Sequence, residues 1–305
     1  MEPLNRREFL AMAAAVPPLM QARSNTPPLT GIFLSIHQAS TARFDFKPSV
    51  EGIAKAGVRA VEVDLAKLRA FTQLPGESAA TAKRLLDDLG LKPVSTSNHL
   101  GLPDAAAAGL AASLEDLKWK LELIQAIGAD RIVCPSTSNG TKTLDDFKRG
   151  SEHLAAGGEL AKPFNVTLML EFARTSSLAG SLPSALKLVR DANHPNVRVM
   201  MDTYHFWGGI SKFEDLELLR DGELAHLHFE DVPGDPPREM QGQPHRVFPG
   251  EGIAPLKRII EVLKRKKYAG PASMEMFQAQ TPAIQNLDPY QVAMKARAAI
   301  EPIIA

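Results

Sequence analysis

The sequence predicts an α/β protein built as a (β/α)8 TIM barrel in a single domain, and three observations carry that expectation. Past about residue 27, short apolar runs alternate with amphipathic segments, and eight such pairs can be counted. Strands separated by helices of this length pair in parallel through crossovers, and eight units need about 250 residues or somewhat more, which the 27–305 segment of this 305-residue chain supplies. The alternative, a doubly wound open sheet, usually carries a Gly-rich phosphate turn after an early strand, and the first βα turns hold none.

Taken in order, the strand candidates are GIFLSIH (31–37), AVEVDL (60–65), KPVSTSNH (92–99), RIVCPS (131–136), VTLMLEF (166–172), VRVMMD (197–202), LAHLHFED (224–231) and ASMEMF (272–277). Helical patterns fill the intervals. In SLEDLKWKLELIQAIG, Ser113 and Asp116 read as a capping box. Leu114, Leu117, Leu121 and Ile124 form one stripe there, and Gly128 is the stop. In APLKRIIEVLKRKKYAG the stripe is Leu256, Ile259, Ile260 and Leu263, followed by a basic last turn and Gly270. YQVAMKARAAIEPIIA closes the chain. The longest irregular piece, 232–252, follows the seventh strand, which in a barrel puts it at the C-terminal rim where active sites sit.

Composition narrows the function. Lys plus Arg (35) equals Asp plus Glu (35), so the electrostatic footprint of a nucleic-acid binder is missing. Small polar partners are expected instead, and association into a homo-oligomer is left open. The single cysteine, Cys134, excludes an intramolecular disulfide and a cysteine-based cluster. Any metal site must then use His, Asp and Glu. Residues 1–26 read as an export signal: Arg6-Arg7, then Phe9, Leu10 and a short Ala-rich apolar segment. They resemble the twin-arginine signal of bacteria, departing from it at Asn5, Pro17 and Pro18. The expected location is therefore periplasmic, or cytoplasmic if this segment is only a basic tail. No other apolar run approaches the roughly 20 residues that span a bilayer, so no membrane contact is expected once the signal is removed.

If the barrel is right, the residues that stand out fall at strand C-terminal ends. The fifth strand ends in Glu171 and the sixth in Asp202, with His205 three residues on. The seventh carries His226, His228, Glu230 and Asp231, and the eighth Glu275 between two methionines. Carboxylate, carboxylate, imidazole and carboxylate on four successive strands make a site for one divalent cation, and mixed oxygen and nitrogen ligation suits Mn, Co, Zn or Mg. His226 shares the side-chain parity of His228 two residues deeper and fits a hydrogen-bonded core histidine. Met200, Met201, Met274 and Met276 fit the core. Phe206 and Trp207 suit either packing or stacking on a sugar ring.

The motifs LMLEF, MMDTYHFWGG, HLHFEDVPG and VFPGEGIAPLKRIIEVLKRKKYAGPASMEMF resemble the xylose isomerase-like TIM barrels, the sugar phosphate isomerases and epimerases, and most closely their inosose isomerase branch. The resemblance implies that Glu171, Asp202, His228 and Glu275 hold the metal. It implies that His205 faces substrate, that Arg246 clamps an anion or hydroxyl, and that Glu62 and His99, with His37 a weaker candidate, complete the pocket. Ketose 3-epimerases of the superfamily carry an Arg six residues after the strand-seven His, where this chain has Gly234. Arg238 or Arg246 would have to substitute, which favours the inosose isomerase-like loop.

The expected activity is isomerisation or epimerisation of a keto-sugar or inosose by proton abstraction beside a carbonyl, through an enediolate, with Glu171 or Glu275 as base. Loss of a β-hydroxyl at the same site would make the protein a lyase or dehydratase of an oxidised sugar or glycoside. An endonuclease IV-like phosphodiesterase would need more His and Asp ligands and a basic face. A non-catalytic sugar-binding barrel would keep the aromatic residues and lose metal ligands.

Overall fold

The structure is a computed structural model that describes residues 28–305; the expected export signal, 1–26, lies outside them. Eight parallel strands close into a barrel in chain order: β1 (Phe33–His37), β2 (Ala60–Val63), β3 (Lys92–Thr96), β4 (Arg131–Pro135), β5 (Thr167–Glu171), β6 (Val197–Asp202), β7 (Leu224–His228) and β8 (Pro271–Met274). Around them run α1 (Phe46–Lys55), α2 (Leu65–Thr72), α3 (Ala79–Asp88), α4 (Leu110–Ile127), α5 (Leu144–Ala161), α6 (Leu182–Ala192), the short α7 (Thr203–Trp207), α8 (Leu256–Arg265) and α9 (Pro289–Ile304). The (β/α)8 expectation holds. Several strands stop earlier than their apolar runs suggest. β3 ends three residues before His99, β7 ends at His228 rather than Asp231, and Glu275 lies just past β8.

The strands separate two apolar regions. Leu168 and Leu170 of β5, Val199 and Met201 of β6, and Ala272 and Met274 of β8 point outward into the shell of helices. Their alternates point inward, because successive side chains of a strand face opposite ways. Deep in the barrel those inward residues are apolar, Val133, Met169, Met200 and Ala225. Toward the C-terminal mouth they turn polar: Ser35, His37, Glu62, Ser95, His226, His228 and Ser273, all buried. A register shift helps to produce this: Val199 and Met201 of β6 pair with Leu224 and Leu227 of β7. The extra residue on β7 is a bulge, and bulges re-aim side chains.

The helices show where local signals held and where they gave way. On α4, Leu117, Leu121 and Ile124 are fully buried, and Gly128 ends the helix in the left-handed conformation at φ 80. The capping box expected at Ser113 is absent. α4 starts at Leu110, Ser113 lies one turn inside, and its hydroxyl hydrogen-bonds His99 instead. After α8, the left-handed position belongs to Lys267, φ 58, and Gly270 instead leads into β8, its carbonyl accepting from Phe33 N. α9 closes the barrel against α1, so tightly that a Cβ on Gly52 would lie 2.6 Å from Pro289 Cβ. Among the described residues, no helix is long and apolar enough to cross a membrane.

Candidate active site

Four side chains from four consecutive strand ends converge at the mouth. Glu171, Asp202, His228 and Glu275 each offer a ligand atom, and those atoms lie within 4.8 Å of one another. His228 Nδ1 is 3.1 Å from Glu171 Oε1 and 3.3 Å from Glu275 Oε2. Asp202 is committed on one side: its Oδ1 accepts from Tyr204 N at 2.6 Å and His205 N at 3.1 Å as the N-cap of α7. Its Oδ2 is left facing the cluster. All four residues are buried, and buried carboxylates at this spacing require a cation.

In this structure the cation among them is Arg246. The 232–252 loop folds back through an antiparallel bridge, Asp231 to Val247. Asp231 ties the fold-back together by accepting from Val232 N, Gly250 N and Ala254 N. That delivers Arg246, 1% exposed, with Nη2 2.8 Å from Asp202 Oδ2 and 3.3 Å from Glu275 Oε2, and Nη1 3.0 Å from Glu230 Oε2. Gln243 accepts from its Nε at 2.6 Å, and the rings of Tyr204 and Phe277 flank the guanidinium. Glu230 also accepts from the backbone N–H of Glu275. The sequence showed Glu230 beside the ligand strand but offered no pairing to explain it.

The electrostatics separate the carboxylates. Burial, with Glu275 and Asp202 adding to it against the pull of His228, pushes Glu171 up to about 7. Burial alone would raise Asp202 too, but Arg246 and His205 outweigh it and hold that group low. Glu275 is likewise held low, by His228 and Arg246 against burial. Burial and Asp202 drive Glu230 well above the usual carboxylate range. Burial disfavours a charged His228, yet Glu275 and Glu62 overcome it and raise that group. Glu171 is thus the ligand-set carboxylate poised nearest neutrality.

The other expected pocket residues divide. His205 sits beside the cluster, Nε2 3.7 Å from Asp202 Oδ2, while its Nδ1 accepts from Arg174 N. Trp207 is half-buried with Arg238 over its ring, whereas Phe206 is fully buried in the outer core. Glu62 does not line the mouth. It is fully buried inside the barrel, where its carboxylate meets the rings of His226 and His228 at 2.9 and 3.1 Å. His226 is the hydrogen-bonded core histidine expected. His99 also turns away, because past the end of β3 its ring faces α4. There Nε2 bonds Ser113 Oγ at 3.0 Å and Nδ1 lies 3.4 Å from Asp116 Oδ2. His37 does face the cluster, its Nε2 3.8 Å from Glu275 Oε1 and its Nδ1 accepting from Ala39 N. Arg174 carried no sequence signal. It donates to the Arg238 and Gln241 carbonyls and so holds the 232–252 loop over the site.

The model of the xylose isomerase-like TIM barrel family matches residues 50–299. The chain belongs to that family. An inosose isomerase of Halalkalibacterium halodurans is 25% identical over 224 residues, 71% of this chain and 79% of that one. A D-psicose 3-epimerase of Agrobacterium fabrum is 27% identical over 76% of this chain and 79% of its own. A 3-dehydroshikimate dehydratase of Pseudomonas putida is 24% identical over 75% of this chain and 35% of its own. Among solved structures, the IolI protein with a bound zinc atom superposes with a TM-score of 0.81 at 21% identity, covering 89% of this chain and 98% of that one. The relatives of the chain thus include an isomerase, an epimerase and a dehydratase.

Proposed function

We propose that this member of the family is a divalent-metal-dependent isomerase or epimerase of a keto-sugar or inosose. The observation that carries the reading is the convergence of three buried carboxylates and one imidazole on a space of metal-site size. The donor set fits a divalent cation: hard carboxylate oxygens plus one imidazole nitrogen, converging within 4.8 Å of one another. Glu171, Asp202, His228 and Glu275 would hold it; that a structural relative has a bound zinc atom supports a metal in this fold. A cation held there supplies Lewis acidity toward a substrate carbonyl.

The chain's own residues do the rest. Glu171, at the end of β5 and within the ligand cluster, is placed to accept a proton from carbon and to give it back. Glu275, on the adjoining strand end, is the second carboxylate able to exchange a proton, which return to a neighbouring carbon or the opposite face requires. Arg246 and His205 bracket Asp202 and are placed to hold substrate hydroxyls. The 232–252 loop folds back over the mouth and carries Arg246 into it. A second reading, dehydration, is supported by the dehydratase relatives; it uses the same base and adds loss of a β-hydroxyl.

Two measurements test the proposal. Purified protein should carry about one divalent ion per chain by mass spectrometry, lost in Asp202→Ala and His228→Ala; wild type that takes up none sinks it. In D2O, inososes and ketoses should exchange the hydrogen beside the carbonyl with wild type and not with Glu171→Gln. Exchange without isomer, accompanied by an unsaturated product, would favour the dehydratase.

A further inference from the structure

Glu62 is the most thoroughly engaged buried carboxylate in the barrel. It is 0% exposed. Its Oε2 accepts from His226 Nε2 at 2.9 Å, Ser273 Oγ at 3.0 Å and His228 Nε2 at 3.1 Å, and its Oε1 from Ser95 Oγ at 3.3 Å. His37 Nε2 stands 3.7 Å from Oε1. The donors come from β3, β7 and β8, with His37 of β1 close by, so the carboxylate of β2 sits at the crossing point of the layer directly beneath the candidate ligands.

The consequence falls on His228. An ionised carboxylate only accepts, so the ring nitrogen facing it must carry hydrogen. Its other nitrogen, Nδ1, is the atom 3.1 Å from Glu171 and 3.3 Å from Glu275, on the side where a cation would take the place of its hydrogen. His226 is locked the same way: its Nε2 meets Glu62, while its Nδ1 has no hydrogen-bond partner among the described residues. A carboxylate behind a ligating histidine commonly sets the ring's tautomer and orientation and raises its affinity for a cation.

Resting on the metal-site reading above, we infer that Glu62 is a positioning residue that fixes His228 with its hydrogen on Nε2 and presents Nδ1 to the cation. It does not touch substrate, contrary to the sequence expectation. Its reach across the barrel to His226, Ser95 and Ser273 makes the setting rigid.

The test uses zinc as the probe. Competition against a chromophoric chelator should show Glu62→Gln binding zinc about 10–100-fold more weakly than wild type, with circular dichroism unchanged. Saturating zinc should restore much of its activity. Equal zinc affinity in wild type and Glu62→Gln would overturn this inference while leaving the metal reading intact. Wild type without zinc affinity would overturn the metal reading and this one with it. Should the variant fail to fold, nitrogen-15 histidine spectra of zinc-loaded wild type decide. His228 with zinc on Nδ1 and hydrogen on Nε2 supports the assignment, and the reverse tautomer overturns it.

Discussion

Arg246 shows how one side chain reconciles the mouth with burial. It pairs with Asp202, Glu230 and Glu275 at once, and removing one partner of a buried ion cluster strands the others at a cost of about 3–5 kcal/mol. Arg246→Ala should therefore lower the metal-free protein's stability to urea by about that much, and by clearly less once zinc is added. A variant as stable as wild type without metal would mean the carboxylates are neutralised by protonation instead. His99 provides a pH signature. Burial, helped by Lys120, holds it down at about 4 from an ordinary 6.5, so the unfolded chain takes up its proton first. This contribution to stability is complete above pH 6.5 and drains away as pH falls toward 4, by on the order of 1 kcal/mol per pH unit. The urea midpoint of His99→Gln should fall less steeply than wild type's across that window; parallel curves would show that His99 titrates normally.

Elements decide which of these side chains meet. The β7 bulge sets the facing of His226 and His228, and Asp202 caps α7 with one oxygen while keeping the other for the site. Helix ends read well from sequence where the signal is purely local: Gly128 adopts φ 80 as the stop of α4. Gly128→Ala should cost about 1 kcal/mol in thermal unfolding, because an L side chain is strained in the left-handed conformation. Gly52→Ala should cost more, roughly 1–3 kcal/mol, because its Cβ would also meet Tyr290 N at 2.9 Å. If the two substitutions cost the same, the α1–α9 contact is looser than described. The failed capping box at Ser113 is instructive, since its spacing was correct and a longer-range partner, His99, took the hydroxyl.

At the scale of the molecule, the barrel collects groups from strands far apart in the chain. Neutral net charge fits a site whose charge is concentrated inside rather than spread over a face. We propose that the twin-arginine-like start sends the folded protein to the periplasm. Replacing Arg6 and Arg7 by Lys should leave it in the cytoplasmic fraction, and undiminished periplasmic recovery would refute this route.

By itself the sequence determined the repeat of strand and helix, hence the barrel, and it pointed to Glu171, Asp202, His228 and Glu275, because residues at strand ends follow from periodicity and chain order alone. Only the tertiary structure decided that Arg246 lies among the carboxylates, that Glu230 supports it, and that Glu62 and His99 turn away from the mouth. The physical reason is range. Side-chain parity and helix stops are set within a few residues. The partner a buried polar group finds is set by whichever donor or acceptor the closed barrel brings within hydrogen-bond reach, and for Glu62 those include residues as distant as His226, His228 and Ser273.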